Sequence, residues 1–407
     1  MAETSAKTDV AVVGGGPAGL VAAIALARMG LSVHAFAPVP PADQRTTALL
    51  RGSVALLQAM DIWPRIEPYA APLSIMRMID DTGRLLRAPT VEFDSRELGG
   101  GPFGYNIRNS DLVRELETFA ASLPALTLDR RMVERVVPDE DIVDVWPAGG
   151  DVLRVRLVVG ADGLKSRCRA AAEISMKDHR YDQTALAFNV THTLPHNDTS
   201  TEFHTKTGPF TLVPLPGLSE SGGHQSSIVW VVRPDEATRL LALSDEAIVR
   251  DIERRAYGIL GAVTGVGPRG AFPLAQIVAS HMARRRIALV GESGHVLPPI
   301  GAQGLNLGFR DAATLAEIVE DAVRDGHDIG APRTLAAYDR RRRADVATRA
   351  AAIDLLNRSV LSGLLPFQVA RGAGLFAAKH FYPVRNLLMK LGMEPIGDVP
   401  RLMKKAG

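Results

Sequence analysis

Apolar residues recur at two different spacings along the chain, and each change of spacing marks a predicted element. The apolar run Asp9–Val13 is typical of a buried strand, and Pro17–Met29 places leucine, alanine and isoleucine on one helical face. Gly30 ends that helix and Leu31–Phe36 returns to a strand. The start of the chain therefore predicts a β-α-β unit.

The later elements are predicted from the same spacings. Helical periodicity indicates helices over Gly52–Met60, Ser110–Ser122 and Ser244–Leu260, near Leu305–Asn306, and from Asp311 onwards. Strand patterns appear at Leu73–Asp80, Arg84–Arg87, Leu126–Trp146, Val152–Val159, Phe272–Val278 and Ile287–Val290, and throughout Thr184–Val232. The pattern predicts an α/β protein with a strand-rich middle and a helical C-terminal region.

Segments with nucleotide-binding features lie far apart, at 9–36, 152–169 and 287–320. Because they would share one ligand, the domains are expected to be interleaved. We predict a discontinuous Rossmann-type domain over residues 1–72, 97–180 and 268–345. A mainly antiparallel β-sheet substrate domain would cover 73–96 and 181–267, and a helical C-terminal region 346–407.

Composition narrows the class of protein. The 407 residues are 46% hydrophobic with a formal net charge of +2, which gives no general electrostatic case for binding nucleic acid. Cys168 is the lone cysteine, so an internal disulfide is excluded and a reducing compartment is expected. The histidines have no metal-ligand spacing, and no metal site is predicted. The polar start and the short apolar runs predict a cytoplasmic protein.

A glycine-rich turn, Gly14-Gly-Gly16-Pro-Ala-Gly19, follows the first strand and opens the first helix. Gly14 permits a tight turn, Gly16 lets the backbone approach a pyrophosphate, and Gly19 lets the helix pack closely on the strand. The phosphates would lie at the helix N-terminus, where free N–H groups favour anions. The turn therefore predicts a dinucleotide site.

The acidic residue expected at the end of the second strand is missing, because Ala37 occupies that position. His34, Gln44 or water would then hold the adenosine ribose. A second match to the glycine pattern, Gly265-Val-Gly267-Pro-Arg-Gly270, leads into Ala-Phe-Pro, which does not start a helix. We interpret it as a surface turn and predict no second Rossmann site.

A second candidate motif, Gly160-Ala-Asp162-Gly163, lies at the carboxyl end of a strand, where α/β sheets bind ligands. Asp162 would accept hydrogen bonds from ligand hydroxyls, and the alternative is that it caps the next helix. Arg45 would reach a pyrophosphate or lie on the surface. The run Arg340–Arg343 in a predicted helix indicates a solvated face.

The most informative stretch is residues 288–311, in which a short strand leads into Glu292, a Pro-Pro-x-Gly-x-x-Gly loop and a helix. Glycines in such a loop let backbone N–H groups approach a planar, electron-rich ring. His295 is interpreted as ordering the loop beside Glu292. The stretch predicts that the bound dinucleotide is a flavin.

Together these motifs resemble the single-Rossmann FAD-dependent aromatic monooxygenases, the para-hydroxybenzoate hydroxylase class. Segments of the strand-rich middle resemble the ubiquinone-biosynthesis hydroxylases (UbiH/UbiF type). These segments are Arg45-Thr-Thr-Ala-Leu, Tyr181-Asp-Gln-Thr-Ala, Thr201-Glu-Phe-His, Gly208-Pro-Phe-Thr-Leu-Val-Pro-Leu-Pro216 and Val229-Trp230. The resemblance extends to about residue 345 and implies a Rossmann-type FAD-binding domain interleaved with an antiparallel substrate domain.

The resemblance also implies roles for individual residues. The FAD contacts would be Gly14, Gly16, Pro17, Ala18, Gly19 and Arg45 at the pyrophosphate, Asn109 at the flavin, Asp162, Gly163 and Glu292 at hydroxyls, and Gly301, Gly304, Leu305 and Asn306 at the pyrimidine edge. Pro298 and Pro299 would line the substrate side of the ring. Two residues depart from the family: Glu292 replaces an aspartate, and Ala37 replaces a ribose-binding glutamate.

By the same resemblance, FAD is bound non-covalently, NAD(P)H is a transient reductant and O₂ supplies the oxygen that hydroxylates an aromatic ring. The expected substrate is a polyprenyl phenol of ubiquinone biosynthesis. No protein acid or base is required, so no catalytic residue is assigned. The alternatives are a hydroxylase of a soluble aromatic compound or secondary metabolite, and a flavin-bound, non-catalytic accessory subunit.

The C-terminal region carries apolar stretches at Leu361–Leu365 and Leu375–Met393, the second interspersed with basic residues. Pro383 predicts two short helices rather than one. Basic residues beside aromatic and aliphatic ones suit an interfacial helix on anionic lipid, which predicts peripheral contact with the inner face of the cytoplasmic membrane. The alternative is that this stretch packs on the protein's own core or on another quinone-biosynthesis enzyme.

Overall fold

The computed structural model describes residues 8–39, 43–83, 87–99, 101–217, 223–361, 365–393 and 398–404. The first strands are β1 Thr8–Val13, β2 Val33–Phe36, β3 Thr46–Leu50, β4 Ala70–Leu73, β5 Ile75–Asp80, β6 Val91–Asp94, β7 Gly104–Arg108, β8 Leu126–Asp129, β9 Val133–Pro138 and β10 Val143–Pro147. The later strands are β11 Leu153–Gly160, β12 Met176–His192, β13 Thr199–His204, β14 Pro209–Leu215, β15 His224–Val232, β16 Val263–Val266, β17 Gly270–Ala279, β18 Ala283–Arg284, β19 Ile287–Leu289 and β20 His295–Val296.

Every predicted helix is present, and the short helices at 63–66, 167–171 and 234–242 are additional to the prediction. The helices are α1 Pro17–Ala27, α2 Arg51–Ala59, α3 Trp63–Ile66, α4 Asn109–Ala121, α5 Arg167–Ala171, α6 Pro234–Ala242, α7 Asp245–Arg255, α8 Gln303–Arg324, α9 Pro332–Leu361, α10 Leu365–His380 and α11 Tyr382–Met393. Short 3₁₀ turns lie at Gly291–Ser293 and Ile300–Ala302. The break between α10 and α11 confirms the two helices predicted from Pro383.

The first sheet has the strand order β18-β19-β11-β1-β2-β8, with β10 and β9 added beside β11. Its centre is parallel, and the last residues of β1, β2 and β11 are brought into register: Val13 pairs with both Phe36 and Gly160. Strands buried on both faces need continuous apolar residues, which explains the uninterrupted run in β1. The loops that follow these strands therefore meet at one edge of the sheet.

The second sheet, in the order β20-β17-β12-β15-β14-β13-β5-β6, is antiparallel apart from the β13–β5 pair. Helices α6 and α7 cover one face with an apolar core that includes Phe210, Trp230 and Ile252. The mixed α/β fold with an antiparallel second sheet is thus confirmed. Strand β12 joins this sheet from Met176, and β17 pairs with it over Gly270–Ala279. The domain bounds stay a prediction.

A small sheet, β3-β7-β4, connects the two large ones. The Thr46 hydroxyl donates to Ser227 Oγ on β15 at 3.0 Å, and Asn106 Nδ2 donates to the Pro214 carbonyl on β14 at 2.8 Å. The second sheet is therefore held over β3, which leads directly into the region where the predicted cofactor residues collect.

Some sequence predictions differ locally from the structure. Helix α8 begins at Gln303, two residues before its predicted start. The second glycine pattern joins β16 to β17 and no helix follows it, because Gly270 already belongs to a strand. Of the strand predicted at Arg84–Arg87, residues 84–86 lie outside the described residues.

Candidate functional site

The N-terminus of α1 is built by close backbone contacts. A Cβ at Gly14 would lie 2.1 Å from the Ala161 carbonyl oxygen, and one at Gly19 would lie 2.3 Å from the Gly14 carbonyl oxygen. Gly14 also has a φ of +126°, which favours glycine. A Cβ at Gly16 would meet nothing within 4 Å, and no side chain caps the helix. Free N–H groups therefore face open space, as an anion site requires.

Ala37 at the end of β2 is fully buried, and a Cβ at Gly15 would lie 2.8 Å from the Ala37 Cβ. The Arg130 guanidinium donates to the Ala37 carbonyl at 3.1 Å and to Glu117 at 2.9 Å. A carboxylate thus reaches the end of β2 from α4, although the strand itself carries none. His34 is already bonded to Asp129, with 3.1 Å between Nε2 and Oδ2.

Asp162 follows β11 and is bonded to the start of α5. Its carboxylate accepts hydrogen bonds from the Ser166 hydroxyl at 2.5 Å and from the Arg167 and Cys168 N–H groups at 2.7 and 3.1 Å. Asp162 therefore holds the first turn of α5, whose N-cap residue is Ser166, and its contact with a ligand stays a prediction. Gly163 is left-handed, with a φ of +74°.

Arg45 and Asn109 are brought together by Asp43, a residue that the sequence reasoning missed. Arg45 Nε and Nη2 bind the Asp43 carboxylate at 2.9 Å each, and Asn109 Nδ2 donates to it at 2.9 Å. Burial raises the pKa of Asp43, but the hydrogen bonds from Arg45 and Asn109 outweigh it and hold the pKa below its ordinary value. The guanidinium is thus fixed while remaining partly exposed.

Glu292 lies in the 3₁₀ turn after β19 and is exposed. Within the described part of the chain its carboxylate makes no hydrogen bond. The pKa of Arg45 is raised mainly by its hydrogen bond with Asp43 and also by the charge of Glu292, so these two predicted residues face the same region. An unpaired carboxylate beside a fixed guanidinium is suited to hydroxyl groups of a bound cofactor.

The turn that carries Glu292 contacts both nucleotide helices. A Cβ at Gly291 would lie 3.2 Å from the Ala18 Cβ on α1, and a Cβ at Gly308 on α8 would lie equally close to that atom. Small residues occupy all three positions of this contact, Ala18, Gly291 and Gly308, and this is the signal that the sequence carries. Their size lets the N-termini of α1 and α8 come together around one ligand.

The loop before α8 has two successive left-handed residues, Gly301 and Ala302, with φ of 64° and 54°. Pro298 is buried and Pro299 exposed. No side chain caps α8, and a Cβ at Gly304 would meet nothing within 4 Å. Gly304 itself has ordinary helical backbone, so a substitution there would act by filling space and not by backbone strain.

The side chain of Asn306 has a structural role beyond the backbone contact implied for it. It is buried and accepts hydrogen bonds from Leu50 N–H at 2.8 Å and the Ser53 hydroxyl at 2.6 Å. It also donates to the carbonyls of Ala48 at 2.8 Å and Ala302 at 2.6 Å. Asn306 therefore clamps the first turn of α8 to β3 and α2.

The Arg340–Arg343 run is only partly the solvated face that the sequence predicted. Arg340 and Arg343 are exposed, whereas Arg342 is buried and donates from Nε to Asp311 at 2.7 Å. The prediction is wrong for Arg342 because α9 packs against α8 along that side. Asp311 was likewise missed, although it ends the most informative stretch of the sequence.

These features fit FAD. Two helix N-termini without side-chain caps, open space at Gly16 and Gly304, and the exposed carboxylate of Glu292 lie around the close contact of Ala18 with Gly291 and Gly308, and together they are called the FAD cradle here. The α1 end suits a pyrophosphate, and the α8 end suits the pyrimidine edge of a planar ring. The assignment of individual contacts stays a prediction.

Comparison with known proteins identifies the family of the chain. The FAD binding domain family matches residues 7–352. The ubiquinone hydroxylase UbiL of Rhodospirillum rubrum is 35% identical over 97% of this chain and 92% of its own length. The 3-demethoxyubiquinol 3-hydroxylase of Escherichia coli is 28% identical over 96% and 99%, respectively.

Solved structures share the whole fold. The p-nitrophenol 4-monooxygenase PnpA of Pseudomonas putida aligns with a TM-score of 0.77 and 22% identity, covering 96% of this chain and 99% of its own. HpxO of Klebsiella pneumoniae, solved with FAD and uric acid, aligns with a TM-score of 0.74 and 18% identity over 96% and 98%. With its cradle, the family match and these relatives in agreement, the chain belongs to the FAD binding domain family of flavin-dependent monooxygenases.

Proposed function

We propose that this protein hydroxylates the aromatic ring of a polyprenylated ubiquinone precursor, with FAD as cofactor, NAD(P)H as reductant and O₂ as co-substrate. The observation that carries the proposal is the 35% identity with the ubiquinone hydroxylase of Rhodospirillum rubrum along almost the whole chain. The likeness includes the substrate sheet as well as the FAD cradle, so it bears on the substrate class.

Bound FAD supplies the redox chemistry, accepting a hydride from NAD(P)H and activating O₂ for oxygen transfer to the ring. The N-termini of α1 and α8 would hold FAD between them. The positive end of the α8 dipole, without a capping side chain, favours negative charge at the ring end of the site. Pro298 and Pro299 would define the substrate side of the ring.

Exclusion of water is the other task of the chain, because a wet site loses the activated oxygen as hydrogen peroxide. The second sheet contributes by lying over β3. Besides the Thr46–Ser227 bond, Asn189 Nδ2 donates to the Gln44 carbonyl at 3.1 Å, and Arg108 binds Gln225. These bonds hold the substrate domain against the cofactor domain.

The substrate proposal is tested by NAD(P)H oxidation with purified holoprotein. A polyprenyl phenol is expected to accelerate oxidation, with a product heavier by one oxygen atom in mass spectrometry. A soluble phenol without the prenyl chain is the matched comparison. Faster turnover of the soluble phenol would favour the alternative substrate class, and no acceleration by either would favour an accessory subunit.

We further propose that α10 and α11 contact an anionic membrane surface. One side of this helix pair docks on the protein: Met389 is buried against Phe103, and Arg385 Nε binds Glu97 at 2.8 Å. The other side, here called the lipid face, exposes large apolar side chains. These are Phe376, Phe381, Val384, Leu387 and Leu388.

Charge supports an anionic lipid surface as the occupant of the lipid face. Residues 365–393 contain no aspartate or glutamate, and Lys379 and Lys390 are exposed beside the apolar side chains. Aromatic and aliphatic residues next to lysines suit the headgroup boundary of a bilayer. Among the described residues, no helix has the length and hydropathy needed to cross a bilayer.

Liposome flotation tests the lipid face. The triple variant Phe376→Ser, Leu387→Ser, Leu388→Ser keeps the docked side of the helix pair and is expected to lose flotation with anionic vesicles. A matched control replaces three apolar side chains exposed elsewhere, Met132→Ser, Leu194→Ser and Leu241→Ser. Equal flotation by both variants would mean that α10 and α11 are not the membrane contact.

A further inference from the structure

A buried charged cluster lies behind the FAD cradle. Asp311, in α8, is fully buried, and one carboxylate oxygen accepts hydrogen bonds from Gly291 N–H at 2.9 Å and from His295 Nε2 at 2.6 Å. Its other oxygen accepts from Arg342 Nε at 2.7 Å. A single carboxylate therefore connects the turn after β19, strand β20, and helices α8 and α9.

The carboxylate is ionised in this environment. Burial by itself raises the pKa of Asp311, but the charges of His295 and Arg342 and the bonds from His295 and Gly291 hold the pKa below its ordinary value. Arg342 is in turn bonded to Asp345 at 2.6 Å, and Asp345 binds Arg310 at 2.9 Å. The charge of Asp311 is thus fully compensated inside the protein.

The bond to Gly291 gives the cluster a link to the cofactor site. Gly291 immediately precedes Glu292, the exposed carboxylate of the cradle, and it lies so near the N-terminus of α1 that a Cβ on it would be 3.2 Å from the Ala18 Cβ. Asp311 lies on the same helix as Gly304, seven residues further on. The position of Asp311 therefore sets the position of the Glu292 turn relative to the first turn of α8.

His295 completes this arrangement from the other side. The side chain is almost fully buried, and its Nδ1 has no hydrogen-bond partner among the described residues. The imidazole is therefore held through Nε2, by Asp311. A ring held at one nitrogen and closed off from solvent is placed to orient the carboxylate and not to exchange protons with a substrate.

We propose that Asp311 and His295 are positioning residues for FAD, which align Glu292 with the N-terminus of α8 so that both address the flavin half of the cofactor. The proposal rests on FAD binding and is independent of the substrate. Loss of the pair is expected to weaken binding of the flavin half of FAD. Binding of the ADP half at Gly14–Gly19 is expected to remain.

The test uses Asp311→Asn, which keeps the size of the side chain. An amide N–H₂ in place of a carboxylate oxygen must face a donor, so at least one of the three bonds is lost. FAD release from the holoprotein, followed by the rise in flavin fluorescence, is expected to be faster by about ten- to a hundredfold, as for loss of a buried hydrogen bond. Binding of ADP to the protein after FAD removal is expected to be unchanged.

The matched control is Asp345→Asn. It disturbs the same cluster, through Arg310 and Arg342, but leaves the Asp311–Gly291 bond. It is expected to lower the resistance to urea without accelerating FAD release. Equal acceleration by both variants, or equal weakening of FAD and ADP, would reduce the pair to a general structural role and overturn the proposal.

A second pair of variants decides the outcome if Asp311→Asn does not fold. His295→Gln retains an N–H donor that reaches Asp311, whereas His295→Ala does not. We expect FAD release to be faster in His295→Ala and to return most of the way towards wild type in His295→Gln. The same release rate in both variants and in the wild type would contradict the role of His295.

Discussion

The two helix N-termini of the FAD cradle are built in different ways. The α1 end consists of glycines that lie against the backbone of the turn itself, of Ala161 after β11 and of Ala37 after β2. The α8 end has free N–H groups too, but it is held by the side chains of Asn306 and Asp311. The bonds of Asn306 to Ala48, Leu50 and Ser53 span more than 250 residues.

This difference has a physical reason. A pyrophosphate needs little more than a helix N-terminus and room for the backbone to approach, and glycines provide that room without any supporting side chain. A planar ring needs two surfaces held at a fixed distance, which a single turn does not supply. The α8 end therefore depends on side chains that bond to distant segments. Substitutions at the two ends should accordingly differ in their effects on stability and on nucleotide binding.

The largest expected effect is that of Gly14→Ala. A Cβ would lie 2.1 Å from the Ala161 carbonyl oxygen at a φ of +126°, so β1 and β11 would have to separate. The expected loss is about 4 kcal/mol or more in the free energy of unfolding. Urea unfolding of the full chain measures it, and a stability close to that of the wild type would mean that the turn is not packed on Ala161.

The second-largest effect is expected for Asn306→Ala. The variant removes four hydrogen bonds and leaves Leu50 N–H and the Ala48 carbonyl without their partner. Water can replace part of the loss, so we expect the free energy of unfolding to fall by about 3 kcal/mol, together with weaker FAD binding. Urea unfolding and FAD titration of the same preparation check both. Weaker FAD binding at unchanged stability would assign Asn306 to the ligand rather than to the clamp.

Valine at either glycine whose Cβ position is empty should change nucleotide binding and leave the stability of the protein nearly unchanged. At both Gly16 and Gly304 a new Cβ meets nothing within 4 Å, so the free energy of unfolding should change by about 1 kcal/mol or less. Gly16→Val is expected to abolish binding of both ADP and FAD. Gly304→Val is expected to weaken FAD and spare ADP. Calorimetric titration with each nucleotide tests this. Loss of ADP binding in Gly304→Val would mean that the ring end of the site does not lie at Gly304.

The smallest effect is expected from mild acid. Because the folded pKa of Asp311 lies below its ordinary value, the stability it contributes is complete above the unfolded pKa, about 4, and is lost as the pH falls further through the folded pKa. FAD retention should therefore be constant from pH 8 to pH 5, as measured by flavin fluorescence. Release that begins near pH 6 would point to a histidine instead.

Much of the fold could be predicted from the sequence because the relevant information is local. The β-α-β start, the break at Pro383 and the need for glycine at Gly14 follow from hydrophobic spacing and backbone sterics. The two glycine-rich loops are recognisable for the same reason, since close approach of the backbone excludes side chains. The residue types in these loops therefore indicated the cofactor before any tertiary contact was known.

Tertiary structure alone decided which polar side chains support the cofactor. A buried Arg342 in the run Arg340–Arg343 cannot be told from its exposed neighbours by sequence, because only the packing of α9 on α8 turns it inward. The pairing of Asp311 with Gly291 and His295 likewise depends on how β19, β20 and α8 meet. Local sequence sets what a residue can do, whereas the long-range packing of the chain sets which partner it finds.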